Sequence, residues 1–360
     1  MYDCVKLDDR ITYELRDLYQ KYGYAQFKMS KFEPYDLYMQ NKEFLVSDGI
    51  ITFTDTDGTL MALKPDVTLS IVKNYREAAS LQKVCYNENV YRISGASKTY
   101  REILQSGLEC MGDVGIYEIC EVLLLAAKSL AVISDSYVLE ISCMDLIDEI
   151  LLNLNLNEGQ TAAIYRCLID KNEDGLRQIV TENAAEPLIR LMRVSGPIAD
   201  TIDQLKEIVG EQPIITLKTL ESLFQQAGLN DHIHLDFSII SDRHYYNGIV
   251  FRGYVEGIPS EILSGGQYDR LMDRLNKNAK GIGFALYLDQ LELLDQRKRE
   301  YDTNTVILYD DNSNPLILTK IADEYSEQGV LLLKKLPKQL RYRRLLQYEN
   351  GRLIEIEHNG

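Results

Sequence analysis

The chain has 360 residues, of which 55 are acidic and 39 are basic, so its formal net charge is −16. Such a charge repels phosphate backbones, which argues against a protein that binds nucleic acid over its whole surface. A hydrophobic content of 45% is enough for a buried core and excludes a disordered chain.

Neither a membrane segment nor a secretion signal is recognisable in the sequence. No run approaches the roughly 18 consecutive apolar residues that span a bilayer, and the N-terminal MYDCVKLDDR has charges where a signal peptide needs an apolar run. The six cysteines include no CxxC pair, which is typical of reduced core residues rather than of a disulfide framework or a zinc site. We therefore expect a cytoplasmic protein.

Hydrophobic periodicity predicts a series of elements over the first 300 residues. Spacings of three to four indicate helices, period-two alternation indicates strands, and Asp57-Gly58 indicates a tight turn. Hairpins rather than regular crossover helices join the strands, which predicts an α+β fold with an antiparallel sheet. The predicted elements are a helix over the first twenty residues, a strand over 24–32, a hairpin over 50–64, a helix over 66–79, a long-loop hairpin over 81–113, a helix over 116–132, a strand over 136–142, an all-helical insertion over about 144–230, strands over 232–240, 246–255 and 261–266, and a final helix over 281–296.

The pattern changes near residue 300. We place a domain boundary there, between a core of residues 1–300 and a small C-terminal α/β domain of residues 301–360. In this domain we predict a strand over 305–311, a helix that ends at Gly329, a strand over 330–336, a further helix, and a short hairpin at Asn350-Gly351.

Polar residues on the predicted sheet are the candidates for ligand binding. The common phosphate loops and hydrolase motifs are absent from the sequence. Gln105 and Glu109 are four apart on one predicted strand and therefore share a face. Together with Asp66, Thr68 and tyrosine hydroxyls, they suit a small zwitterion such as an amino acid. Taken singly, each is equally typical of an ordinary sheet surface.

Histidine and aspartate alternate at one place with ligand-like spacing. His232, His234 and Asp236 would share one face of a strand and could hold a metal. The solvent-exposed face of an ordinary strand shows the same pattern of three alternating polar residues. We therefore predict no metal and no cofactor.

Five segments resemble, in the correct order, the histidyl-tRNA synthetase family. Residues 53–68 (FTDTDGTLMALKPDVT) resemble its FxDxxGxxLxLRPExT segment, and residues 91–112 resemble its second class II motif, an arginine followed by a loop and a RxFxQxGxExxG strand. RHYYNGIVFRGY resembles the histidine-specific motif, while SGGQYDRLM and GIGFALYLDQL resemble the close of the core. The resemblance covers about residues 1–295 and implies a class II aminoacyl-tRNA synthetase-like antiparallel sheet flanked by helices.

The same resemblance implies a histidine pocket. In the family, it is built from the acidic residue and threonine of the RPExT segment, the glutamine and glutamate of the motif 2 strand, and two tyrosines of the later motifs. On this sequence these positions are Asp66, Thr68, Gln105, Glu109, Tyr246 and Tyr268. The resemblance assigns Glu109 and Tyr246 to the imidazole and the other four to the ammonium end, as their hydrogen-bonding groups permit.

Departures from the family affect the site that a synthetase needs for ATP. Motif 3 should present an arginine where this chain has Gln290. The absence of that arginine removes a charge-assisted contact of about 1.5–3 kcal/mol. The arginine expected before the tyrosine pair aligns with Ser241, and Arg243 lies two residues further along. Arg92 survives as the motif 2 arginine. We expect a weakened nucleotide site, with Arg92, Arg101 and Arg243 as candidate phosphate or carboxylate contacts.

The C-terminal tail is a second departure. Synthetases of the family carry a longer anticodon-binding domain than the tail of about 60 residues allows, and the net charge of −16 argues against tRNA. A basic cluster in the tail is either a solvated segment or a dock for an acidic partner. Its members are Lys334, Lys335, Lys338, Arg341, Arg343 and Arg344.

A synthetase-like core with an amino-acid pocket but without these parts resembles the regulatory subunits of ATP phosphoribosyltransferase. The resemblance implies a non-catalytic subunit that the short-form catalytic subunit requires, with L-histidine as the effector that inhibits the first step of histidine biosynthesis. It also implies a homodimer, formed through the motif 1 region, within a hetero-octamer. Two alternatives stay open: a divergent histidyl-tRNA synthetase or other amino-acid-activating ligase, and a scaffold that binds no ligand.

Overall fold

The computed structural model describes residues 6–42, 49–77, 80–93, 99–152, 154, 156–240, 245–294 and 301–359. The chain forms two compact units, residues 1–293 and residues 294–360.

The described residues contain sixteen strands and twelve α-helices. The strands are β1 (Ala25–Gln26), β2 (Phe32–Pro34), β3 (Thr52–Thr54), β4 (Leu60–Leu63), β5 (Leu81–Ile93), β6 (Tyr100–Gly112), β7 (Tyr137–Cys143), β8 (Ser195–Pro197), β9 (Ile233–Asp236), β10 (Asn247–Val255), β11 (Leu263–Gln267), β12 (Lys280–Tyr287), β13 (Thr303–Leu308), β14 (Val330–Leu333), β15 (Tyr342–Glu349) and β16 (Arg352–His358). The helices are α1 (Leu7–Lys21), α2 (Tyr35–Gln40), α3 (Thr68–Lys73), α4 (Ile116–Ile133), α5 (Met144–Leu152), α6 (Glu158–Ile169), α7 (Glu173–Ile179), α8 (Glu182–Met192), α9 (Ile198–Val209), α10 (Ile215–Ala227), α11 (Asp269–Arg274) and α12 (Pro315–Tyr325).

A nine-stranded sheet dominates the first unit. Its order among the described strands is β1-β5-β6-β12-β11-β10-β7-β9-β8. The β1–β5 and β7–β9 pairs are parallel and the other pairs are antiparallel. The α+β fold with a mainly antiparallel sheet is therefore confirmed.

The β5–β6 hairpin is the longest pairing in this sheet. The two strands stay in register from Leu81 opposite Gly112 to Ile93 opposite Tyr100. Helices α1 and α4 supply apolar side chains to the same unit, and their buried residues include Ile11 and Leu15 of α1. The predicted N-terminal helix, both predicted hairpins and the helix over 116–132 are confirmed.

The strand predicted over 24–32 is wrong in its extent. Only β1 pairs with β5, and the chain then leaves this sheet. Residues of β2 pair with β4 in a separate three-stranded sheet of order β2-β4-β3. Pro34 ends β2 and precedes the unpredicted helix α2, because proline lacks an N–H for a strand ladder but suits a helix start.

The helical insertion is not entirely helical. Helices α5 to α10 fill most of it, but β8 pairs with β9 at the edge of the large sheet. An edge position tolerates Pro197, which has no N–H to donate. Lys171, between α6 and α7, donates to Asp236 of β9 at 3.0 Å.

The helix predicted over 281–296 is wrong. Residues 280–287 form β12, a central strand between β6 and β11, and Leu288–Leu293 form a 3₁₀ turn. A strand covered on both faces has a continuous apolar sequence, which periodicity cannot distinguish from a buried helix.

The second unit contains a four-stranded sheet of order β14-β13-β15-β16. The helix predicted after β14 is wrong, because residues 334–341 are irregular and Leu336 and Leu340 pack against Val306 and Tyr342. The hairpin at Asn350-Gly351 is confirmed. Both residues have positive φ, 51° and 78°, as a type I′ turn requires.

No helix in the described ranges has the length and apolar character to cross a membrane.

Candidate ligand-binding site

The six predicted pocket residues come from three parts of the first unit. Asp66 precedes α3, and Thr68 is its first residue. Gln105 and Glu109 lie on β6, in the middle of the sheet. Tyr246 precedes β10 and Tyr268 follows β11, so both tyrosines stand where the chain enters or leaves a sheet strand.

Glu109 is the centre of the arrangement. Its side chain is 1% exposed, and Oε1 accepts a hydrogen bond of 2.7 Å from the Thr68 hydroxyl. Its Oε2 and the neighbouring Tyr268 hydroxyl are both buried, and neither makes a hydrogen bond of full geometry in the described structure. Since buried polar atoms in native proteins normally have partners, these two neighbouring atoms are candidate ligand contacts.

Two glycines of β12 make room for this pair. A Cβ atom on Gly283 would lie 1.9 Å from Glu109 Oε2, and one on Gly281 would lie 2.2 Å from Cε2 of Tyr268. Any larger residue would displace the carboxyl group or the ring. The glycines of the GIGF segment therefore position Glu109 and Tyr268 directly.

Burial raises the pKa of both acids in the candidate pocket. Desolvation raises the pKa of Glu109 to about 8, the charge of Asp66 adds to this rise, and the Thr68 and Tyr268 hydroxyls oppose it. Burial also raises the pKa of Asp66, although its Oδ1 accepts a 2.8 Å bond from the Leu69 N–H. Two buried acids favour a ligand that brings positive charge or N–H donors.

The ring of Tyr246 packs against the backbone of Gly266 on β11. A Cβ on Gly266 would lie 2.7 Å from its Cδ1, and its ring centroid is 4.5 Å from that of Tyr245. The electrostatic influence of Glu109 and Asp66 raises the Tyr246 pKa further after burial. Tyr246 therefore lies near enough to Glu109 and Asp66 to feel their charge.

Gln105 lies further along the face of β6. Four strand residues span about 13 Å, so Gln105 and Glu109 do not share one hydrogen-bonding position. Gln105 is 3% exposed and has Glu88 of β5 and Tyr287 of β12 as cross-strand neighbours. It lines the part of the face nearer the long β5–β6 loop.

Sequence reasoning missed Tyr86 and Tyr287. Tyr86 is paired with Gly107, between Gln105 and Glu109, and a Cβ on that glycine would lie 2.6 Å from its hydroxyl. Alternation along β5 could have identified Tyr86, because it places this residue on the sheet face that carries Gln105 of β6. Tyr287 bonds to the Ser264 hydroxyl at 2.6 Å.

Two of the three candidate anion contacts, Arg92 and Arg101, have internal partners. Arg92 donates from Nε to the Pro65 carbonyl at 2.9 Å, and its charge lowers the otherwise raised pKa of Asp66. Arg101 forms an ion pair of 3.1 Å with Asp289. Arg243 lies outside the described residues, as does Ser241.

Gln290, at the position of the motif 3 arginine, faces the loop before β11. Its Nε2 donates to the Glu261 carbonyl at 3.0 Å, and its Oε1 accepts from the Ser260 hydroxyl at 2.9 Å. Its side chain is therefore used to fix a loop.

The alternating His232, His234 and Asp236 do not form a common face. His232 belongs to a 3₁₀ turn, where its ring stacks on Tyr137 at a centroid distance of 4.1 Å. Asp236 accepts hydrogen bonds from Ser238 and Lys171. Across the described ranges, no group of three or more His, Cys, Asp or Glu residues has an arrangement that could hold a metal ion.

Comparison with known proteins places this fold and its motifs in context. The family model described as histidyl-tRNA synthetase matches residues 5–291. The chain is 26% identical over 343 residues to the ATP phosphoribosyltransferase regulatory subunit of Clostridium novyi (strain NT), covering 88% of this chain and 80% of that protein. It is 27% identical over 298 residues to the protein of the same name from Caldanaerobacter subterraneus subsp. tengcongensis, covering 79% and 78%.

Solved structures share the fold. One is an ATP phosphoribosyltransferase regulatory subunit/histidyl-tRNA synthetase from Bacillus halodurans C, with a TM-score of 0.74, 21% identity, and coverage of 92% of this chain and 90% of that one. Another is histidyl-tRNA synthetase from Nostoc sp. PCC 7120, with a TM-score of 0.73, 15% identity, and coverage of 97% and 93%. A third comes from the ATP phosphoribosyl transferase (HisG:HisZ) complex of Thermotoga maritima, with a TM-score of 0.63, 19% identity, and coverage of 79% and 98%. The resemblance and fold class predicted from the motifs are confirmed.

Proposed function

The chain belongs to the histidyl-tRNA synthetase family, and from this premise we propose that it is the non-catalytic regulatory subunit of an ATP phosphoribosyltransferase. In this role it is required by a short-form catalytic subunit and makes that enzyme sensitive to inhibition by histidine. The observation that carries the proposal is the pair of buried polar atoms at Glu109 and Tyr268, beside a predicted nucleotide side where Gln290 and Arg101 bond to other groups of the chain.

The pocket supports histidine as the effector. Glu109 Oε2 and the Tyr268 hydroxyl are buried without partners, and a ligand with N–H and acceptor groups would satisfy both. The nearby carboxyl of Asp66 is 7% exposed and suits an ammonium group. In a scaffold that binds no ligand, these buried polar atoms would stay without hydrogen-bond partners.

The nucleotide side supports a non-catalytic role. Adenylation develops negative charge on phosphate oxygens, and preorganised arginines stabilise it. Here, Gln290 provides no charge and holds a loop through Ser260 and Glu261. Arg101 is neutralised by Asp289 at 3.1 Å.

The relatives support the partner. Proteins named ATP phosphoribosyltransferase regulatory subunit match most of this chain, and a structural neighbour comes from a complex of that enzyme. We propose the short-form catalytic subunit as the partner, with this chain as a homodimer within a larger hetero-oligomer. The second unit has half of its predicted basic cluster in ion pairs, Lys334 with Asp311, Arg341 with Asp302 and Arg344 with Glu355.

Substitutions in the pocket test the effector assignment. In the reconstituted complex, Glu109→Ala and Tyr246→Ala should abolish inhibition by histidine without preventing assembly, measured by initial rates and by size-exclusion chromatography. Glu256→Ala is the matched control, because Glu256 is exposed and its side chain lies outside the pocket. Full inhibition in both pocket variants would refute the pocket assignment.

A divergent synthetase or other amino-acid-activating ligase is the second candidate, because Arg92 is retained beside Asp66. Exchange of pyrophosphate into ATP that depends on histidine would support it. Gln290→Arg should then raise the exchange rate, whereas no exchange in either protein supports the regulatory role.

A further inference from the structure

Among the described residues, no cation is paired with the carboxyl group of Glu109. Oε1 accepts from Thr68, while Oε2 is buried without a partner in the described structure. The nearby cations, Lys64 and Arg92, act on Asp66 and partly offset the rise of its pKa. A carboxyl buried in this way is held in its neutral form.

The described neighbours of Glu109 are hydroxyl groups, backbone and one further acid, whereas Arg243 and His244, which precede Tyr245, lie outside the described residues. Gly283 of β12 lies directly against Oε2. The titratable and hydroxyl neighbours from the surrounding elements are Asp66 and Thr68 at α3, Tyr86 on β5, Tyr245 and Tyr246 before β10, and Tyr268 after β11.

The position of the proton follows from these contacts. Oε1 already accepts a hydrogen from the Thr68 hydroxyl, so the carboxyl proton is best placed on Oε2. Oε2–H then makes no hydrogen bond of full geometry in the described structure, although the Tyr268 hydroxyl lies near the carboxyl group. An imidazole ring with one protonated and one unprotonated nitrogen supplies an acceptor.

We infer that Glu109 and the imidazole of a bound histidine hold a single proton between them, and that in neutral solution Glu109 supplies it. The inference rests on the proposed function, since it requires histidine in this pocket with its ring at Glu109. The Oε2–H bond either donates to the ring nitrogen or breaks as the proton forms an N–H bond there. In both forms the pair contains one proton, and none is exchanged with solvent.

This proton count predicts the pH dependence of binding. Below the ordinary imidazole pKa of about 6.5, the free partners carry two protons and binding releases one. Above the Glu109 pKa of about 8, the free partners carry none and binding takes one up. Affinity is therefore highest between these values, and this linkage alone raises the Kd about tenfold from pH 7 to pH 9.

Calorimetric titration of histidine into the full chain and into its Glu109→Gln variant tests the inference. The glutamine amide has nearly the shape of the carboxyl group that it replaces, but it does not titrate. The amino group of the ligand titrates equally with both proteins. From pH 7 to pH 9, the Kd of the unmodified chain should rise about tenfold more than that of the variant. At pH 9, in two buffers of different ionisation enthalpy, the unmodified chain should take up about one additional proton.

Three results would overturn the inference in distinguishable ways. Equal pH dependence in both proteins refutes the shared proton and leaves the pocket in place. If the variant binds no histidine, the test uses the unmodified chain alone. Proton uptake at pH 9 no larger than the ligand's amino group accounts for would then refute the inference. Absence of binding to the folded, unmodified chain at every pH refutes the proposed effector and the inference with it.

Discussion

Replacing Glu109 by glutamine should change how the stability of the ligand-free chain depends on pH. Burial raises the Glu109 pKa from 4.5 to about 8 on folding. Between these values, the folded state holds a proton that the unfolded state has lost. The free energy of unfolding therefore falls as the pH rises toward 8, by about 1.36 kcal/mol per unit.

The size of the effect follows from the same two pKa values. Integrating the linkage relation from pH 6.0 to pH 8.5 gives a loss of about 2.5 kcal/mol from this one group. Glu109→Gln removes the titration and with it this loss. The other acids and tyrosines of the pocket remain, so their contributions largely cancel when the two proteins are compared.

Urea unfolding followed by far-UV circular dichroism at pH 6.0 and pH 8.5 measures the difference, since the chain has no tryptophan for fluorescence. The unmodified chain should lose about 2.5 kcal/mol more than the variant over this interval. Glu256→Gln, at an exposed carboxyl, should behave like the unmodified chain. Equal losses in the unmodified chain and in Glu109→Gln would refute the argument that Glu109 is buried in neutral form.

Three further substitutions test side-chain packing, a buried ion pair and a turn conformation. Gly283→Ala places a Cβ 1.9 Å from Glu109 Oε2, so it should cost about 1–3 kcal/mol and abolish the histidine-induced thermal shift, whereas Gly115→Ala, with its nearest contact at 3.5 Å, should leave the shift unchanged. Lys64→Met leaves Glu88 without its 2.9 Å partner and should cost about 3–5 kcal/mol in urea unfolding, most of which Lys64→Met with Glu88→Leu should recover. Gly351→Ala forces a side chain into φ +78° and should destabilise the second unit by about 1–2 kcal/mol; proteolysis no faster than in the unmodified chain would contradict this.

The fold was predictable where local signals were strong. Turn residues defined both the Asp57-Gly58 hairpin, where Gly58 has positive φ, and the Asn350-Gly351 hairpin, where both residues do, and alternation defined β5 and β6. The prediction failed at β12, because a strand covered on both faces loses its period-two pattern. It also failed at β2, whose pairing with β4 is a tertiary choice that residues 24–32 do not encode.

The pocket residues were named through motifs, while their energetics required coordinates. Spacing places Glu109 on a sheet face, but its missing partner at Oε2 depends on Gly283 and Tyr268, far along the chain. Tyr86 was within reach of strand alternation alone. The loop contacts of Gln290 were not, because the sequence shows which charge is absent but not what the side chain does instead.

The most direct test of the proposed function is the rate of phosphoribosyl-ATP formation by the short-form catalytic subunit of the same organism, with and without this chain, over a titration of histidine. The account predicts that adding the chain raises the rate and that histidine then lowers it. A rate that the chain leaves unchanged at every histidine concentration, with both proteins folded, would contradict it.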